Sequence, residues 1–265
     1  LSPALRRQLE EAFLLEAMTD VRTVTESDGT RKALSALRDR QCVEWVIIPA
    51  PGRQTVCIST QVGCRFGCAF CASGQTGFVR NLETGEIVGE VLQAAAAIGR
   101  RPDNVVVMGM GEPLDNYEAV LPAIRILNHE DGLAIGARRI TLSTCGIVPG
   151  IRRLAEEGLQ VELSVSLHAP EDVLRSRLMP VNRRYPLAEL MEACREYTLK
   201  TNRIITFEYA LIQGVNDAEQ QADQLATWMK SVQGRVNLIP LSPVREFKGK
   251  APTPTAIDRF LRRLR

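Results

Sequence analysis

Three cysteines fall within eight residues of the 265-residue sequence, in the pattern C-x3-C-x2-C formed by Cys64, Cys68 and Cys71. Thiolates select zinc, Cu(I) or iron–sulfur clusters. A structural zinc site needs a fourth ligand, and the only histidines in the sequence are His129 and His168. A [4Fe–4S] cluster held by three thiolates keeps one iron open to another ligand. The spacing therefore favours an iron–sulfur site over three buried thiols that pack as small hydrophobic groups.

The composition is that of an ordinary globular protein, with 45% hydrophobic residues, 24% charged residues and a net charge of +2. It excludes a disordered chain, and no apolar run is long enough to span a membrane. The seven cysteines are odd in number and follow no secretory signal, which argues against a disulfide framework. We therefore expect metal or redox chemistry in the reducing cytoplasm.

From residue 55 onward, apolar segments typical of buried strands alternate with amphipathic segments typical of helices. Strands are expected at residues 55–59, 104–108, 139–143, 161–167, 204–211 and 236–241. Helices are expected at residues 85–97, 116–128, 149–157, 186–197 and 218–230, and from Thr255 onward. Six consecutive βα units predict an α/β fold with right-handed crossovers. We predict a partial (βα)6 barrel, with a doubly wound sheet as the alternative.

The first fifty residues predict a short helix, over residues 4–17, followed by a small β extension. Its strands are expected at residues 21–25, 32–37 and 43–48, with Asp28-Gly29 as the turn between the first two. We therefore divide the chain into an N-terminal helix and β extension, residues 1–50, and a barrel core, residues 51–265. Asn116 and Asp217 are expected to cap the helices that follow them.

Five of the six predicted parallel strands are followed by small, polar or sulfur-containing residues. These segments are residues 64–71, 109–113, 143–146, 166–170 and 241–243. Ligands of parallel α/β sheets and barrels bind at the carboxyl ends of the strands. We therefore expect the segments to form one shared site.

The motifs along these segments closely resemble one enzyme family. They are TVCISTQVGCRFGCAFCASGQTGFVRNL, NVVVMGMGEPLDN, ITLSTCGIVP, LSVSLHAP, PVNRRYP, GVND and VNLIPL, in this order. The sequence resembles the bacterial radical S-adenosylmethionine (SAM) adenine-C2 RNA methyltransferases of the RlmN type. The resemblance implies a partial radical SAM barrel, a [4Fe–4S] cluster and SAM as cofactors, and 23S rRNA and tRNA as substrates. It also implies reduced flavodoxin or ferredoxin as the electron donor.

The resemblance further assigns roles to individual residues. Cys64, Cys68 and Cys71 match the cluster ligands. The positions that match SAM contacts are Gly111, Glu112, Ser143, Ser166, Leu167, His168 and Ser242. At Ser242 the family has an asparagine, so the amide group is lost there. Glu44 matches the proton acceptor, and Cys57 matches a second catalytic thiol that forms a disulfide when the product is released.

The family carries the transferred methyl group on a cysteine in a C-terminal segment. No cysteine follows Cys194 in this sequence, so we expect the carrier to lie beyond Arg265 in a longer gene product. We expect the sequence to be truncated at its N-terminus as well. Three alternatives stay open. They are the sister branch that methylates adenine C8, a radical SAM enzyme with another substrate, and a non-catalytic iron–sulfur or zinc protein.

Overall fold

The computed structural model describes residues 2–12, 18–245 and 247–264. The strands are β1 (Met18–Thr25), β2 (Arg31–Leu37), β3 (Cys42–Ala50), β4 (Arg53–Cys57), β5 (Gln61–Gly63), β6 (Phe78–Asn81), β7 (Asn104–Val107), β8 (Ile140–Thr144), β9 (Glu162–Ser166), β10 (Ile205–Leu211) and β11 (Gly234–Pro240). The α-helices are α1 (Pro3–Ala12), α2 (Ala72–Gln75), α3 (Thr84–Ile98), α4 (Tyr117–Asn128), α5 (Val148–Glu156), α6 (Asp172–Leu178), α7 (Leu187–Thr201), α8 (Glu219–Met229) and α9 (Pro254–Leu264).

Within these residues, one nine-stranded sheet runs in the order β1-β2-β3-β4-β7-β8-β9-β10-β11. Strands β1 to β4 pair antiparallel, whereas β4 and β7 to β11 pair parallel. The parallel strands follow one another in chain order without a reversal. A doubly wound sheet requires such a reversal, so the prediction of a partial (βα)6 barrel is confirmed and the doubly wound alternative is wrong.

The sheet has a covered outer face and an open inner face. Right-handed crossovers in one direction place the intervening helices on the same side of the sheet. Burial alternates accordingly: Val105 and Val107 of β7 are buried, whereas Val106 between them is half-exposed. The same alternation makes Thr141 and Ser143 of β8 face the inner side. Side chains that contact a ligand must therefore come from the inner face and the strand ends.

Local contacts explain where α3 begins and ends. The Glu86 carboxylate accepts a hydrogen bond of 2.8 Å from the backbone N–H of Glu83 at the N-terminus of the helix. The same carboxylate pairs with Arg80 at 2.8 Å. At the other end Gly99 has φ = 78°, a left-handed conformation that glycine adopts without steric cost. Helix α3 is thus fixed between β6 and β7.

Several local predictions need correction. The sequence pattern did not predict the β5–β6 hairpin, which forms a separate two-stranded sheet, or helices α2 and α6. Asp217 is not the N-cap of α8, which begins after Ala218, and instead accepts a hydrogen bond from the Gly214 N–H. The predicted first helix is described only as α1, and its residues 13–17 lie outside the described residues.

The N-terminal strands continue the same sheet as the barrel strands, because β3 pairs with β4. The division at residue 50 therefore falls in the turn between two paired strands, and it stays a prediction. In the part of the chain that is described, no helix has both the length and the apolar character needed to cross a membrane.

Candidate active site

The cysteine loop begins at the β5–β6 hairpin. The Cys64 N–H donates to the Gly77 carbonyl at 2.9 Å, which brings the two ends of the loop together. Gly63 has φ = +75°, and a Cβ atom there would lie 1.7 Å from the Gly77 carbonyl oxygen. Further along, the Ala69 N–H donates to the Leu178 carbonyl at 2.9 Å, which ties the loop to α6. The fold therefore fixes this loop at the carboxyl end of β4.

The three thiols lie around one cavity, as the spacing predicts. Burial raises the pKa of Cys64 to about 11 and that of Cys68 to about 12. Negative charge on the neighbouring cysteines raises both pKa values further. These thiols stay protonated near neutral pH unless a cation binds them. The positive charge of iron ions would offset the cost of burying the thiolates.

The three thiols around one cavity suit an iron–sulfur cluster, because each thiolate of such a cluster binds a different iron atom. Among the described residues, no three histidine, cysteine, aspartate or glutamate side chains are arranged to hold one metal ion. Phe66 and Phe70, which also line the cavity, are apolar neighbours that would limit access of water to a cluster.

The cavity has a volume of about 340 Å³, within the range of small-molecule sites. It is lined by Cys64, Phe66, Cys68, Phe70, Cys71, Val107, Met108, Gly109, Gly111, Glu112, Pro113, Ser143, Thr144, Cys145, Ser166, His168, Met179, Glu208, Asn237 and Ile239. The structure thus brings together the three cysteines of the C-x3-C-x2-C pattern and most predicted SAM contacts. The exceptions are Leu167 and Ser242.

The glycines after β7 allow two backbone segments to approach closely. A Cβ atom at Gly109 would lie 2.6 Å from Ser59 Oγ, and one at Gly111 would lie 2.6 Å from Gln61 Cβ. Gly111 also has φ = +99°. The loop is held there by the N–H of Thr60, which donates to the Met110 carbonyl at 2.8 Å. This turn leaves backbone, rather than side chains, at the cavity wall.

Glu112 locks two of the strand ends together. Its carboxylate accepts hydrogen bonds from the Leu114 N–H at 3.0 Å and from the Cys145 N–H at 2.6 Å. Burial raises the pKa of Glu112, and the hydrogen bond from Cys145 opposes that shift. Through these hydrogen bonds the carboxylate positions the loops after β7 and β8 beside the cavity that it lines.

His168 is held as a neutral imidazole. Its Nδ1 accepts a hydrogen bond of 2.8 Å from the Ala210 N–H, so the ring proton is on Nε2. Burial lowers the pKa of His168 to about 3, and the positive charge of Arg175 contributes. The residue has φ = 56°, and the buried Asn216 fixes this conformation by donating to the His168 carbonyl at 2.7 Å. Nε2 can therefore donate a hydrogen bond to a ligand in the cavity.

Arg175, which no sequence motif indicated, holds the ends of neighbouring strands together. This fully buried side chain donates to the carbonyls of Cys145, Ser166 and Leu167 at 2.8 to 3.1 Å. A further bond of 2.9 Å goes to Asn182 Oδ1. The sequence contains many arginines, and Arg175 lies on a helix that was not predicted. No feature of the sequence therefore distinguished it from the others.

Glu208 and Asn237 were also missed. They are opposite each other on β10 and β11, and the Asn237 amide donates to the Glu208 carboxylate at 2.7 Å. Both lie on the inner face and line the cavity. An alternating strand pattern could have indicated that Glu208 is on the face opposite Phe207 and Tyr209, which are buried.

Two predicted SAM contacts lie elsewhere. Leu167 is fully buried, and its N–H donates to the Glu208 carbonyl at 3.0 Å. Ser242 is exposed and follows β11, which contributes Asn237 and Ile239 to the cavity instead. The structure does not bring the Ser242 side chain into the cavity wall.

Glu44 and Cys57 also lie outside the cavity lining, but they share the inner face of the sheet. Cys57 is opposite Val46 in the register of β3 and β4, two residues from Glu44 on the same face. The Glu44 carboxylate pairs with Lys32 at 2.7 Å and is 40% exposed. Burial raises the pKa of Cys57 to about 11, and the charge of Glu90 contributes. Cys57 is therefore a thiol near neutral pH.

The fold and the site together define a class of protein. An open barrel of six parallel strands carries the C-x3-C-x2-C loop after its first strand, beside a cavity lined by polar strand ends. Residues 58–226 match the Radical SAM superfamily. The chain is a radical SAM protein.

Similarity to known proteins narrows this class. The chain is 49% identical over 249 residues to a probable dual-specificity RNA methyltransferase RlmN of Halalkalibacterium halodurans, which covers 93% of this chain and 69% of that protein. The corresponding protein of Clostridium tetani is 48% identical over 257 residues, covering 97% of this chain and 74% of that protein. A crystal structure of a radical SAM methyltransferase from Sphaerobacter thermophilus superposes with a TM-score of 0.95 at 49% identity, covering 100% of this chain and 79% of that chain. The chain belongs to the RlmN family.

Proposed function

We propose that this chain is the catalytic core of an RNA methyltransferase that methylates C2 of adenosine in 23S rRNA and tRNA. The observation that carries the proposal is a cavity lined by three thiols. It lies in a chain that is 49% identical to one protein named a probable dual-specificity RNA methyltransferase and 48% identical to another. The cavity is lined by residues of the motifs that resemble the family. These residues lie at the ends of different strands, so their common position depends on the fold.

In this proposal Cys64, Cys68 and Cys71 hold a [4Fe–4S] cluster, and SAM binds between the cluster and the strand ends. When bound, these groups supply the one-electron chemistry that activates a carbon lacking nucleophilic character. The chain's own contribution is positioning. The Gly111 turn and the Glu112 carboxylate form one wall, Ser143 and the neutral His168 supply hydrogen-bonding groups, and Phe66 and Phe70 exclude water.

Glu44 and Cys57 have the proposed roles of proton acceptor and disulfide-forming thiol. The partner of Cys57 is a methyl-carrying cysteine in a segment beyond Arg265. Both residues are on the open inner face, where an RNA base can approach without crossing the helix layer. The target base must leave its stack to reach this face.

The remaining partner is the source of the electron. We propose a reduced flavodoxin or ferredoxin for this role, and we place the activity in the cytoplasm, where ribosomal RNA is made and used. Residues 1–50 are proposed to be the remnant of an accessory region next to the barrel core of residues 51–265.

The test is nucleoside mass spectrometry of RNA from the native host. Deleting the gene should remove 2-methyladenosine from 23S rRNA and tRNA, and the intact gene should restore it. A Cys64→Ala gene, which lacks one cluster ligand, should fail to restore it. Loss of 8-methyladenosine instead would assign the chain to the sister branch, and unchanged RNA would contradict the proposed function.

A further inference from the structure

Arg175 is a buried cation without a charged partner. Among the described residues, no other arginine and no lysine is buried. Its hydrogen bonds go to three backbone carbonyls and to the side-chain oxygen of Asn182, which are dipoles without a net charge. None of the ion pairs in the described part of the chain involves Arg175. Buried charges in proteins are normally paired with an opposite charge, so a negative group is expected near this guanidinium.

The guanidinium lies directly behind the cavity wall. Its Nη2 donates to the Cys145 carbonyl at 2.8 Å and to the Ser166 carbonyl at 3.0 Å, and both residues line the cavity. Helix α6, which carries Arg175, is also tied to the cysteine loop by the hydrogen bond from the Ala69 N–H to the Leu178 carbonyl. The fold therefore holds a positive charge beside the three thiols.

The groups around Arg175 do not supply the missing negative charge. Burial lowers the pKa of Arg175, and negative charge on Cys145 and Cys68 is the main opposing effect. Burial raises the pKa of Cys68 to about 12 and also raises the pKa of Cys145, so both are neutral thiols unless a metal binds them. The carboxylate of Asp172 is exposed and has a smaller effect on the pKa of Arg175 than either thiol.

We propose that Arg175 is the counter-charge of the iron–sulfur cluster and raises its reduction potential. The inference rests on the proposed function, which assigns the cluster to Cys64, Cys68 and Cys71. Three thiolates give an oxidised [4Fe–4S] cluster a net negative charge, and one-electron reduction by the flavodoxin or ferredoxin adds one more. A fixed buried cation stabilises the reduced form more than the oxidised form, so it makes reduction easier.

The alternative is that Arg175 only holds the strand ends together through its hydrogen bonds. Two substitutions separate these roles. Lysine keeps the positive charge but cannot reproduce the planar fork of the guanidinium, whereas glutamine keeps a donor and loses the charge. A purely structural role would affect both variants alike, and a counter-charge would affect mainly Arg175→Gln.

The experiment is a redox titration of the anaerobically reconstituted, full-length protein, followed by electron paramagnetic resonance. At the potential where half of the wild-type cluster is reduced, Arg175→Gln should show a ratio of reduced to oxidised cluster that is about tenfold lower. For one electron, this ratio corresponds to a midpoint potential about 59 mV lower. Arg175→Lys should stay close to the wild type. Arg177→Gln, which changes an exposed arginine on the same helix, is the matched control and should leave the ratio unchanged.

An unchanged potential in Arg175→Gln would overturn the inference, and so would equal shifts in Arg175→Gln and Arg175→Lys. If Arg175→Gln does not fold by circular dichroism, Asn182→Asp is the second variant. It keeps the Oδ1 acceptor 2.9 Å from the guanidinium and adds a negative charge there, so it should also lower the ratio. An unchanged ratio in Asn182→Asp would then overturn the inference. A wild-type protein that binds no iron–sulfur cluster would instead contradict the proposed function.

Discussion

The charge states of single buried residues decide what this site can do. His168 presents a neutral donor because its Nδ1 already accepts a backbone hydrogen bond. Cys57 and Cys68 are held as thiols because burial disfavours their thiolates. A cation such as an iron cluster offsets this cost at Cys68, whereas Cys57 lies outside the cavity lining. The two kinds of cysteine should therefore differ in reactivity.

Cys57 should alkylate slowly at neutral pH. Its pKa of about 11, against an ordinary value of 9.0, implies about a hundredfold less thiolate at pH 8. Peptide mass spectrometry after iodoacetamide treatment should show a Cys57 rate that rises steeply up to about pH 11. In denaturant the pH 8 rate should increase about a hundredfold, and an unchanged rate would refute the assignment.

His168 should make the protein more stable as the pH rises through the acidic range. Its folded pKa of about 3 is below the ordinary 6.5, so between these values the unfolded chain binds a proton that the folded chain does not. The free energy of unfolding should then rise by up to about 1.4 kcal/mol per pH unit. Urea melts at pH 4.5 and 6 measure this slope. It should be smaller in His168→Gln, with the exposed His129→Gln as control, and an unchanged slope in His168→Gln would contradict it.

Residue spacing predicted that Cys64, Cys68 and Cys71 lie together, because all three are within one loop. It did not predict Arg175, Glu208 or Asn237, whose contacts come from strands and helices distant in sequence. The family resemblance placed Ser242 at the ligand, but the cavity wall from β11 is formed by residues before it. Local spacing therefore predicts which residues of one loop lie together better than it predicts partners across the sheet.

At the level of elements, the β5–β6 hairpin should control assembly of the cysteine loop. A Cβ atom at Gly63 would lie 1.7 Å from the Gly77 carbonyl, whereas one at Gly67 would meet no atom within 4 Å. Gly63→Ala should therefore abolish most iron binding on reconstitution. The matched control Gly67→Ala, which has only the strain of φ = +60°, should cost about 1–2 kcal/mol and retain its iron. Equal iron content in the two variants would show that the hairpin is not essential.

Helix α6 should be needed because Arg175 holds the ends of β8 and β9. Arg175→Met leaves three buried carbonyls and Asn182 Oδ1 without this donor, so we expect a loss of about 3–5 kcal/mol in unfolding free energy. Arg177, which is exposed on the same helix, provides the matched control variant. Chemical denaturation should show little change for Arg177→Met, and similar losses in both variants would exclude a specific role of Arg175.

The long βα elements were predictable because hydrophobic periodicity marks them, whereas the short ones were not. Helix α6 has seven residues and β5 has three, too few to show a period. Their positions depend on tertiary contacts, such as the Cys64 N–H bond to Gly77 that closes the cysteine loop. These short elements nevertheless hold the loop and the strand ends that form the cavity.

At the scale of the whole molecule, one continuous sheet carries both the cavity and the inner-face residues of the N-terminal strands. Its parallel strands end at the cavity, and its antiparallel strands extend the inner face to Glu44 and Lys32. In the described part of the chain, side chains on this face, such as Val106 and Asn237, are at least partly exposed. The order of the strands could be predicted from the alternation of elements, but the curvature that gathers their ends could not.

The most direct test of this account is anaerobic reconstitution of the protein with iron and sulfide, followed by electron paramagnetic resonance of the reduced sample with and without SAM. We predict about four iron atoms per chain and a [4Fe–4S]⁺ signal that changes when SAM binds, because three thiolates leave one iron open. Cys64→Ala, Cys68→Ala and Cys71→Ala should each lose that signal. A tightly bound zinc ion, or a cluster whose spectrum is indifferent to SAM, would contradict the radical SAM site.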